Sequence, residues 1–393
     1  MKRVTDFYNA MQASVPLRRD LVNYALMDVN KPTRVAALRR ILQTIKESGR
    51  DEEGRITVED EKGRPITLKP DYEVSELEKD IAYFEEGESW FYDSLAARGL
   101  GEELKELVDV LSADRFDTFV TDRDGTVNNY CGRYRSSVQS AYNGVFLSRF
   151  ASRLPRQPII LTSAPLMDTG IVDLSVLPEN LYLLAGSKGR EYRDSRGSRQ
   201  RMQLTPGEEQ RQAELNSRID ALLEKPENGI FAQIGSSFQR KVGETTVARQ
   251  DVYGSVPQAE SERFRGEVDT LLKEIDPDGS FFYLEDTGKD LEIIAKSGAS
   301  GRHFTKGDGI AFLLKEVNQE ARGARLLVCG DTSSDLPMVE KAVELGAEVT
   351  SVFVTGDPQL RKAVGGTGAR AVFVSEPDTL VGALNLLGQR GMG

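Results

Sequence analysis

Short apolar runs rich in β-branched residues alternate with stretches of helical periodicity from about Asp117 to the end of the sequence. This alternation is typical of a parallel β-sheet with helices packed on both of its faces. The sequence therefore predicts an α/β fold built on a doubly wound, mostly parallel sheet. Strands of this sheet are predicted at 119–120, 159–161, 181–184, 326–328, 349–354 and 371–374.

Several of these strands end at residues suited to bind or transform a ligand. Asp122, Thr162, Gly186 and Asp331 follow four of the predicted strands. In open α/β sheets, ligands bind in the crevice beyond the carboxyl ends of the strands. We therefore expect these strand ends to converge on one site.

Between residues 201 and 296 the pattern changes to a helix, two strands, a second helix and two more strands. This α-β-β-α-β-β order predicts a small antiparallel sheet with two helices, inserted into the chain of the larger sheet. Turn-forming residues at 226–229 and 276–279 separate its elements. The elements are predicted at 205–223, 230–238, 245–253, 257–275, 281–285 and 291–295.

The first 110 residues form a third region, with helical patterns at 34–46 and 75–97. Two short apolar runs between them, at 55–58 and 65–68, flank a turn sequence and predict a β-hairpin. We therefore predict a mainly helical N-terminal extension, a core made of two stretches and an inserted α+β domain. Their boundaries are 1–110 for the extension, 111–200 and 297–393 for the core, and 201–296 for the insertion.

The amino-acid composition argues against several classes of function. The sequence holds two cysteines and one histidine, too few for a zinc cluster built from these residues or for a disulfide framework. A net charge of -11 disfavours a protein that coats nucleic acid through a broad basic surface. No apolar run approaches the roughly 20 residues that span a bilayer. We expect no nucleic-acid partner, no membrane association and a cytoplasmic location.

The segment 119–126 combines an apolar strand with two carboxylates and a glycine turn. Residues i and i+2 of a strand share a face, so Asp122 and Asp124 can point into one site as the chain leaves the sheet. One carboxylate can attack phosphorus and form an aspartyl phosphate, while the other protonates the leaving oxygen and later activates water. Because Asp-x-Asp-Gly is also a common turn sequence, this motif alone leaves both interpretations open.

A second apolar strand ends in a Gly-Asp pair at Asp331 and is followed by a further acid, Asp335. Mg²⁺ prefers oxygen ligands, usually one or two carboxylates together with water and substrate phosphate. Asp331 and Asp335 could supply these carboxylates. The alternative is that Asp331 and Ser333 only cap the helix that begins near Leu336.

Two further residues lie at positions suited to bind phosphate. Thr162 follows a predicted strand, where its hydroxyl can donate to a phosphate oxygen, and Lys306 precedes an apolar helix predicted at 310–317. Each residue is weak evidence by itself. The order Asp-x-Asp-Gly-Thr, then Thr, then Lys, then Gly-Asp-x-x-x-Asp is much harder to obtain by chance.

With these motifs in this order, residues 115–393 resemble the haloacid dehalogenase (HAD) superfamily of phosphatases. The resemblance implies that Asp122 is the nucleophile and Asp124 the general acid/base, while Thr162 and Lys306 bind phosphate. It also implies Mg²⁺ as the cofactor. The metal ligands that it implies are Asp122, Asp124 through its carbonyl oxygen, Asp331 and Asp335.

The position and element order of the insertion are similar to the cap of the trehalose-6-phosphate phosphatase branch, which is a C2-type cap. Residues 184–192 are similar to a Gly-x-His-Gly-x-Glu segment of that branch, with Lys188 in place of the usual histidine. The usual Gly-Arg after the hydroxyl residue is replaced by a segment that begins at Ser163. The resemblance implies substrate-binding roles for Ser163, Lys188, Glu191, Lys241, Arg249 and Glu292.

The resemblance implies a magnesium-dependent phosphatase that hydrolyses a sugar phosphate, in first place trehalose-6-phosphate to trehalose and phosphate. One alternative is a phosphatase for another glycosyl or osmolyte phosphate, such as mannosyl phosphoglycerate or sucrose phosphate. Another is a non-catalytic ligand sensor or docking protein. The expected partner is a small-molecule sugar phosphate, and an oligomer or a protein partner bound through the N-terminal extension is a further hypothesis.

Overall fold

The computed structural model describes residues 1–296 and 303–389. The part of the chain before residue 113 is mainly helical and includes one β-hairpin. Its helices are α1 (Val4–Leu26), α2 (Pro32–Lys46), α3 (Asp71–Glu86), α4 (Glu88–Ala97) and α5 (Gly101–Ser112), and its hairpin pairs β1 (Ile56–Glu59) with β2 (Pro65–Leu68). The hairpin and α2 lie where the sequence predicted them.

The helical pattern predicted at 75–97 is confirmed, but it is divided between two helices. Gly87 between α3 and α4 adopts a φ of 92°, which a continuous helix does not allow. The helix α1 was not predicted, although its buried residues repeat at helical spacing. Pro16 lies inside α1, and an internal proline is ordinarily a signal against a helix.

The first stretch of the large sheet follows this helical region. Its elements are β3 (Thr118–Thr121), α6 (Ala141–Ala151), β4 (Ile159–Leu161), the short α7 (Ile171–Leu174), β5 (Leu183–Gly186), β6 (Glu191–Arg193) and β7 (Arg199–Arg201). The strands β6 and β7 were not predicted. They form an antiparallel extension beyond β5, which makes the sheet mixed.

The inserted unit has the predicted α-β-β-α-β-β order. Its elements are α8 (Pro206–Glu224), β8 (Phe238–Lys241), β9 (Glu244–Ala248), α9 (Gln258–Ile275), β10 (Phe282–Asp286) and β11 (Asp290–Ala295). The four strands pair antiparallel in the order β10-β11-β9-β8. They form a small sheet separate from the large one, as the sequence predicted.

The strand predicted at 230–238 is wrong over most of its length. Gly235 and Ser237 adopt φ values of 48° and 59°, in the left-handed region that interrupts an extended strand. A 3₁₀ turn precedes them, and Phe231 in this turn stacks on Phe264 of α9 with ring centroids 3.9 Å apart. The apolar residues of this segment therefore fill the core through a turn, and the strand begins only at Phe238.

The second stretch of the large sheet completes the fold. Its described elements are α10 (Lys306–Glu316), β12 (Arg325–Gly330), α11 (Leu336–Glu344), β13 (Glu348–Val354), α12 (Pro358–Gly365), β14 (Arg370–Val374) and α13 (Pro377–Gln389). The stretch was predicted to run from 297 to 393, and its positions 297–302 and 390–393 lie outside the described residues.

The large sheet has the strand order β14-β13-β12-β3-β4-β5-β6-β7, and its first six strands are parallel. Side chains of α10, α11 and α12 form a buried cluster with one face of this sheet. The other face shares a cluster with α6 and α13, onto which the N-terminal helices pack. This arrangement confirms the predicted α/β class. Among the described helices, none has the length and apolarity needed to cross a membrane.

Candidate active site

Four parallel strands of the large sheet carry predicted site residues just beyond their carboxyl ends. Asp122 follows β3, Thr162 follows β4, Lys188 follows β5 and Asp331 follows β12. These strands are neighbours in the order β12-β3-β4-β5. Parallel strands end at the same edge of a sheet, so the fold itself brings these residues to one crevice.

A buried lysine lies between two of the acids. Lys306 begins α10, and its Nζ donates to Asp122 Oδ1 at 2.6 Å and to Asp335 Oδ1 at 2.5 Å. All three side chains are at least nine-tenths buried. Removing such charges from water is costly unless they are paired, which explains why the lysine and the two acids occur together.

Three carboxylates form a compact acidic group around this lysine. Asp122, Asp331 and Asp335 each offer an oxygen, and these oxygens lie within 4.8 Å of one another. Burial and the neighbouring acids raise the pKa of Asp122 to about 7 and that of Asp331 to about 8, although Lys306 opposes the shift. Burial also acts on Asp335, but the Lys306 charge and backbone hydrogen bonds bring its pKa below the usual value. Fully ionised, the three carboxylates would carry more negative charge than one lysine balances.

Backbone amides and a hydroxyl orient two of these acids. Asp335 Oδ2 accepts the backbone N–H of Asp331 and of Thr332, both at 3.0 Å. Asp331 Oδ1 accepts from the Thr126 hydroxyl at 2.9 Å. The residue that precedes α11 is Asp335, so the sequence alternative in which Asp331 and Ser333 cap this helix does not describe the geometry.

Asp124 lies on the loop that leaves β3, and its carboxylate is held by three donors. Arg123 Nη1 and Ser137 Oγ each donate to Asp124 Oδ1 at 2.6 Å, and Asn128 Nδ2 lies 3.4 Å from the same oxygen. Arg123 is buried, and it also binds the backbone oxygen of Ser137. The orientation of Asp124 is therefore fixed by residues of its own loop.

Thr162 and Ser163 occupy the turn after β4. Thr162 is buried, and its hydroxyl accepts the backbone N–H of Ala164 at 3.2 Å. Its carbonyl oxygen accepts the N–H of Lys188 at 2.9 Å, which joins this turn to the one after β5. Ser163 is half-buried beside Thr162. The two hydroxyls therefore stand at the same sheet edge as the acids.

Lys188, Lys241 and Glu292, three of the predicted substrate-binding residues, lie close to Glu244, which was not predicted. Glu244 accepts from Lys188 Nζ at 2.7 Å and from Lys241 Nζ at 2.6 Å, and Glu292 lies 3.9 Å from Lys188. Burial opposes ionisation of Glu244, but Lys241 and Lys188 lower its pKa to about 2. Since Lys188 belongs to the large sheet and the other three to the inserted unit, this polar cluster joins the two.

The two remaining predictions lie apart from this polar cluster. Glu191 accepts from Ser187 Oγ at 2.5 Å and from the backbone N–H of Leu166 at 3.0 Å. Arg249 pairs with Glu262 of α9 and Asp286 of β10. The bonds of Glu191 stabilise turns of the large sheet, while those of Arg249 link elements of the inserted unit.

Two family models match the chain. One, described as trehalose-6-phosphate phosphatase, C-terminal, matches residues 119–380. The chain belongs to the trehalose-6-phosphate phosphatase family. The second model, described as the trehalose-6-phosphate phosphatase N-terminal helical bundle domain, matches residues 3–97. Membership in this family of phosphoric monoester hydrolases agrees with the resemblance found in the sequence.

Curated relatives of this family member come from nematodes. Alpha,alpha-trehalose-phosphate synthase (UDP-forming) 2 of Caenorhabditis elegans is 30% identical over 411 residues, which cover 98% of this chain and 33% of the relative. A trehalose-phosphatase of Caenorhabditis elegans is 34% identical over 268 residues, covering 66% of this chain and 60% of the relative. The chain thus spans about a third of the length of the synthase relative.

Among solved structures, the trehalose-6-phosphate phosphatase C-terminal domain of Candida albicans superposes with a TM-score of 0.48 and 15% sequence identity. The superposition covers 72% of this chain and 96% of that domain.

Sequence reasoning missed two polar side chains of this trehalose-6-phosphate phosphatase family member. Glu244 joins Lys188 to Lys241, and Ser137 holds Asp124. Neither belongs to a motif. Ser137 follows Asp124 in a mostly irregular loop, where no periodic pattern predicts which residues meet. Only the fold brings these side chains to their partners.

Gly125 permits the close approach of the first loop to Asp331. Its φ is 89°, and a Cβ at this position would lie 2.2 Å from Asp331 Oδ2. Gly125→Ala is therefore expected to lower the free energy of unfolding by about 2 kcal/mol and to displace the Asp331 carboxylate. Thermal unfolding and phosphate release measure the two effects.

Gly63→Ala is the matched control, because Gly63 has a similar φ of 81° with nothing within 4 Å of its added Cβ. Gly63→Ala introduces the same backbone strain as Gly125→Ala, but its new Cβ meets no neighbouring atom. Equal losses of stability and of activity in the two variants would contradict the importance of the contact between Gly125 and Asp331.

Proposed function

We propose that this chain is a magnesium-dependent phosphatase that hydrolyses trehalose-6-phosphate to trehalose and phosphate through an aspartyl phosphate. The observation that carries this proposal is the group of Asp122, Asp331, Asp335 and the buried Lys306 at one sheet edge, in a chain of this family. Asp124 stands two residues after Asp122 with its orientation fixed. The set contains a nucleophile, an acid/base and a cation for phosphate.

In the first step, an oxygen of Asp122 attacks phosphorus while the bond from phosphorus to the sugar oxygen breaks. Asp124 gives its proton to the departing sugar oxygen. In the second step Asp124 takes a proton from water, which attacks the aspartyl phosphate and releases inorganic phosphate. The Asp122 carboxylate and the protonated Asp124 are then restored. Lys306 offsets phosphate charge in both steps.

The acidic group fits a magnesium ion, since its carboxylate oxygens lie close together and burial, together with their mutual repulsion, raises two of the pKa values. Asp122, Asp331 and Asp335 would hold the ion, with the Asp124 carbonyl oxygen as a further ligand. When bound, the metal supplies positive charge that stabilises a phosphoryl group. Without it, the acids would repel the dianionic substrate.

We also propose that the inserted unit at 201–296 is a cap that selects the sugar, between core stretches at 111–200 and 297–393. Lys188, Lys241, Glu244 and Glu292 combine donors and acceptors suited to sugar hydroxyls, and they lie where the cap meets the core. Thr162 and Ser163 are proposed to donate to phosphate oxygens. Closure of such a cap would exclude bulk water from the aspartyl phosphate.

The test is phosphate release from a panel of sugar phosphates. We expect the full chain to release phosphate from trehalose-6-phosphate at least about tenfold faster than from sucrose phosphate or mannosyl phosphoglycerate. EDTA should abolish the release and added Mg²⁺ should restore it. An Asp122→Asn preparation made in parallel controls for contaminating phosphatases.

Other outcomes distinguish the alternatives. Faster release of phosphate from another sugar phosphate of the panel would contradict trehalose-6-phosphate as the substrate, but it would still agree with a phosphatase. Tight binding of trehalose-6-phosphate without any release of phosphate would indicate a ligand sensor.

A further inference from the structure

One face of the N-terminal helix α3 contacts the loop that carries Asp124. Tyr72, Glu73, Glu76 and Asp80 lie at one-, three- and four-residue intervals on α3, and all four are buried. Burying three acids on one helix face is costly unless each is hydrogen-bonded. Each of the four has at least one partner between residues 128 and 142, downstream of the proposed acid/base, and Asp80 also pairs with Arg18 of α1.

Glu73 fixes the middle of this loop. Its carboxylate accepts from Arg133 Nη2 at 2.8 and 2.9 Å and from Ser136 Oγ at 2.5 Å. Arg133 and Glu73 are each at most 1% exposed in their side chains. One guanidinium nitrogen thus donates to both carboxylate oxygens, and charge-assisted hydrogen bonds of this kind hold the loop to α3.

Glu76 and Asp80 fix the two ends of the loop. Glu76 Oε1 accepts from Asn129 Nδ2 at 3.0 Å. Asp80 Oδ1 accepts the backbone N–H of Ala141 at 2.7 Å and of Tyr142 at 3.2 Å, at the start of α6. The loop is therefore attached to α3 from Asn129 to its end at α6.

Tyr72 makes the connection that leads to Asp124. Its hydroxyl accepts from Asn128 Nδ2 at 3.0 Å and donates to the backbone oxygen of Val138 at 3.1 Å. Asn128 Nδ2 lies 3.4 Å from Asp124 Oδ1, and Ser137, next to Val138, donates to the same oxygen at 2.6 Å. Burial raises the pKa of Tyr72 well above its usual value, so the hydroxyl keeps its proton.

We propose that Tyr72, a residue of the N-terminal helical region, is a positioning residue for the general acid/base Asp124. By fixing Asn128 and the backbone at Val138, it holds the donors that bind Asp124 Oδ1. The hydrogen bonds that described residues give to this carboxylate all end on Oδ1, which directs Oδ2 to proton transfer. The inference rests on the proposed function and adds a residue outside the catalytic core to it.

The leaving group provides a test that separates positioning from general stability. A sugar oxygen leaves poorly and needs the proton of Asp124, whereas p-nitrophenolate leaves readily without it. In Tyr72→Phe we expect kcat/KM for trehalose-6-phosphate to fall about tenfold, while kcat/KM for p-nitrophenyl phosphate stays within about twofold of the parent. The ratio kcat/KM is used because it reports the step in which the sugar leaves.

Tyr83→Phe is the matched control, since Tyr83 is also a buried tyrosine of α3 but its hydroxyl lies near the Glu88 and Arg149 side chains, away from Asp124. Tyr83→Phe should leave kcat/KM for both substrates unchanged. Asn128→Ala removes the group between Tyr72 and Asp124 and should reproduce the split between substrates, which keeps the test decisive if Tyr72→Phe does not fold.

Equal losses on both substrates, or no loss on either, would overturn the positioning role of Tyr72 while leaving the phosphatase intact. A parent protein that releases no phosphate from any sugar phosphate would overturn the proposed function, and the role of Tyr72 with it. The parent is therefore measured first, with Mg²⁺ present.

Discussion

Asp122→Asn is expected to lower kcat for phosphate release at least about 10⁴-fold, because an amide cannot serve as the nucleophile that forms the aspartyl phosphate. The substitution conserves the shape of the side chain. Burial raises the pKa of Asp122 to about 7, so a neutral group suits this position better than a carboxylate does. Lys306 keeps its bond of 2.5 Å to Asp335.

Stability is therefore expected to change little in this variant. The midpoint of thermal unfolding should stay within about 3 °C of the parent, as measured by circular dichroism without added metal. Asp20→Asn, which alters a half-buried acid paired with Arg34 on the N-terminal helices, controls for the loss of one charge and should leave turnover unchanged. A kcat of Asp122→Asn within tenfold of the parent would contradict the assignment of Asp122 as the nucleophile.

The core of the site was predictable because it depends on strand ends. A short apolar run predicts a buried strand, and the residue after a parallel strand must lie at the carboxyl edge of the sheet. Asp122, Thr162 and Asp331 are such residues. Their convergence therefore follows from the alternation of strands and helices, before any side-chain contact is considered.

The inserted unit was less predictable because its side chains make their bonds through tertiary contacts. The positions of α8 and α9 follow from their periodicity, but the sequence near Ile230 is as apolar as a strand and folds into a turn. Arg249 has the charge expected of a phosphate ligand, yet two acids of the inserted unit bind it. Glu244 has no motif, and its role depends on which strand faces Lys188.

The N-terminal region shows a third limit of sequence reasoning. Its acidic and basic residues gave no indication of which would be solvated and which would be buried against the rest of the chain. Glu85 is 46% exposed and pairs with Arg39 at the surface, whereas Glu73 on the same helix is fully buried against Arg133. Both acids are glutamates of the same charged helix, and nothing in the sequence distinguishes them. Only the packing of α3 on the core determines which of the two is buried.

Deletion of residues 1–105 is expected to prevent the remaining chain from folding. The deletion removes Glu73, which binds Arg133, and so it detaches the loop after β3 from α3. It also removes Phe91, whose ring lies 4.9 Å from that of Phe146, and so exposes the apolar side of α6 to water. Exposing one large apolar side chain costs about 1.5–3 kcal/mol, and a few such losses equal the whole stability of an ordinary domain, about 5–15 kcal/mol.

Yield of soluble protein and cooperativity of thermal unfolding measure the effect of the deletion. Two point variants of the full chain provide a graded version of the same test. Glu73→Ala should lower the free energy of unfolding by about 3 kcal/mol or more, while Glu85→Ala, at the exposed pair with Arg39, should lower it by less than about 1 kcal/mol.

A truncated chain that unfolds cooperatively and retains the turnover of the parent would contradict this prediction. It would also favour the other hypothesis for the extension, in which these helices are a separate module for an oligomer or a protein partner. The two hypotheses differ in what Glu73 and Phe91 do, because a separate module would not bury its charged and aromatic side chains against Arg133 and Phe146. The buried contacts therefore favour an extension that is part of the catalytic fold.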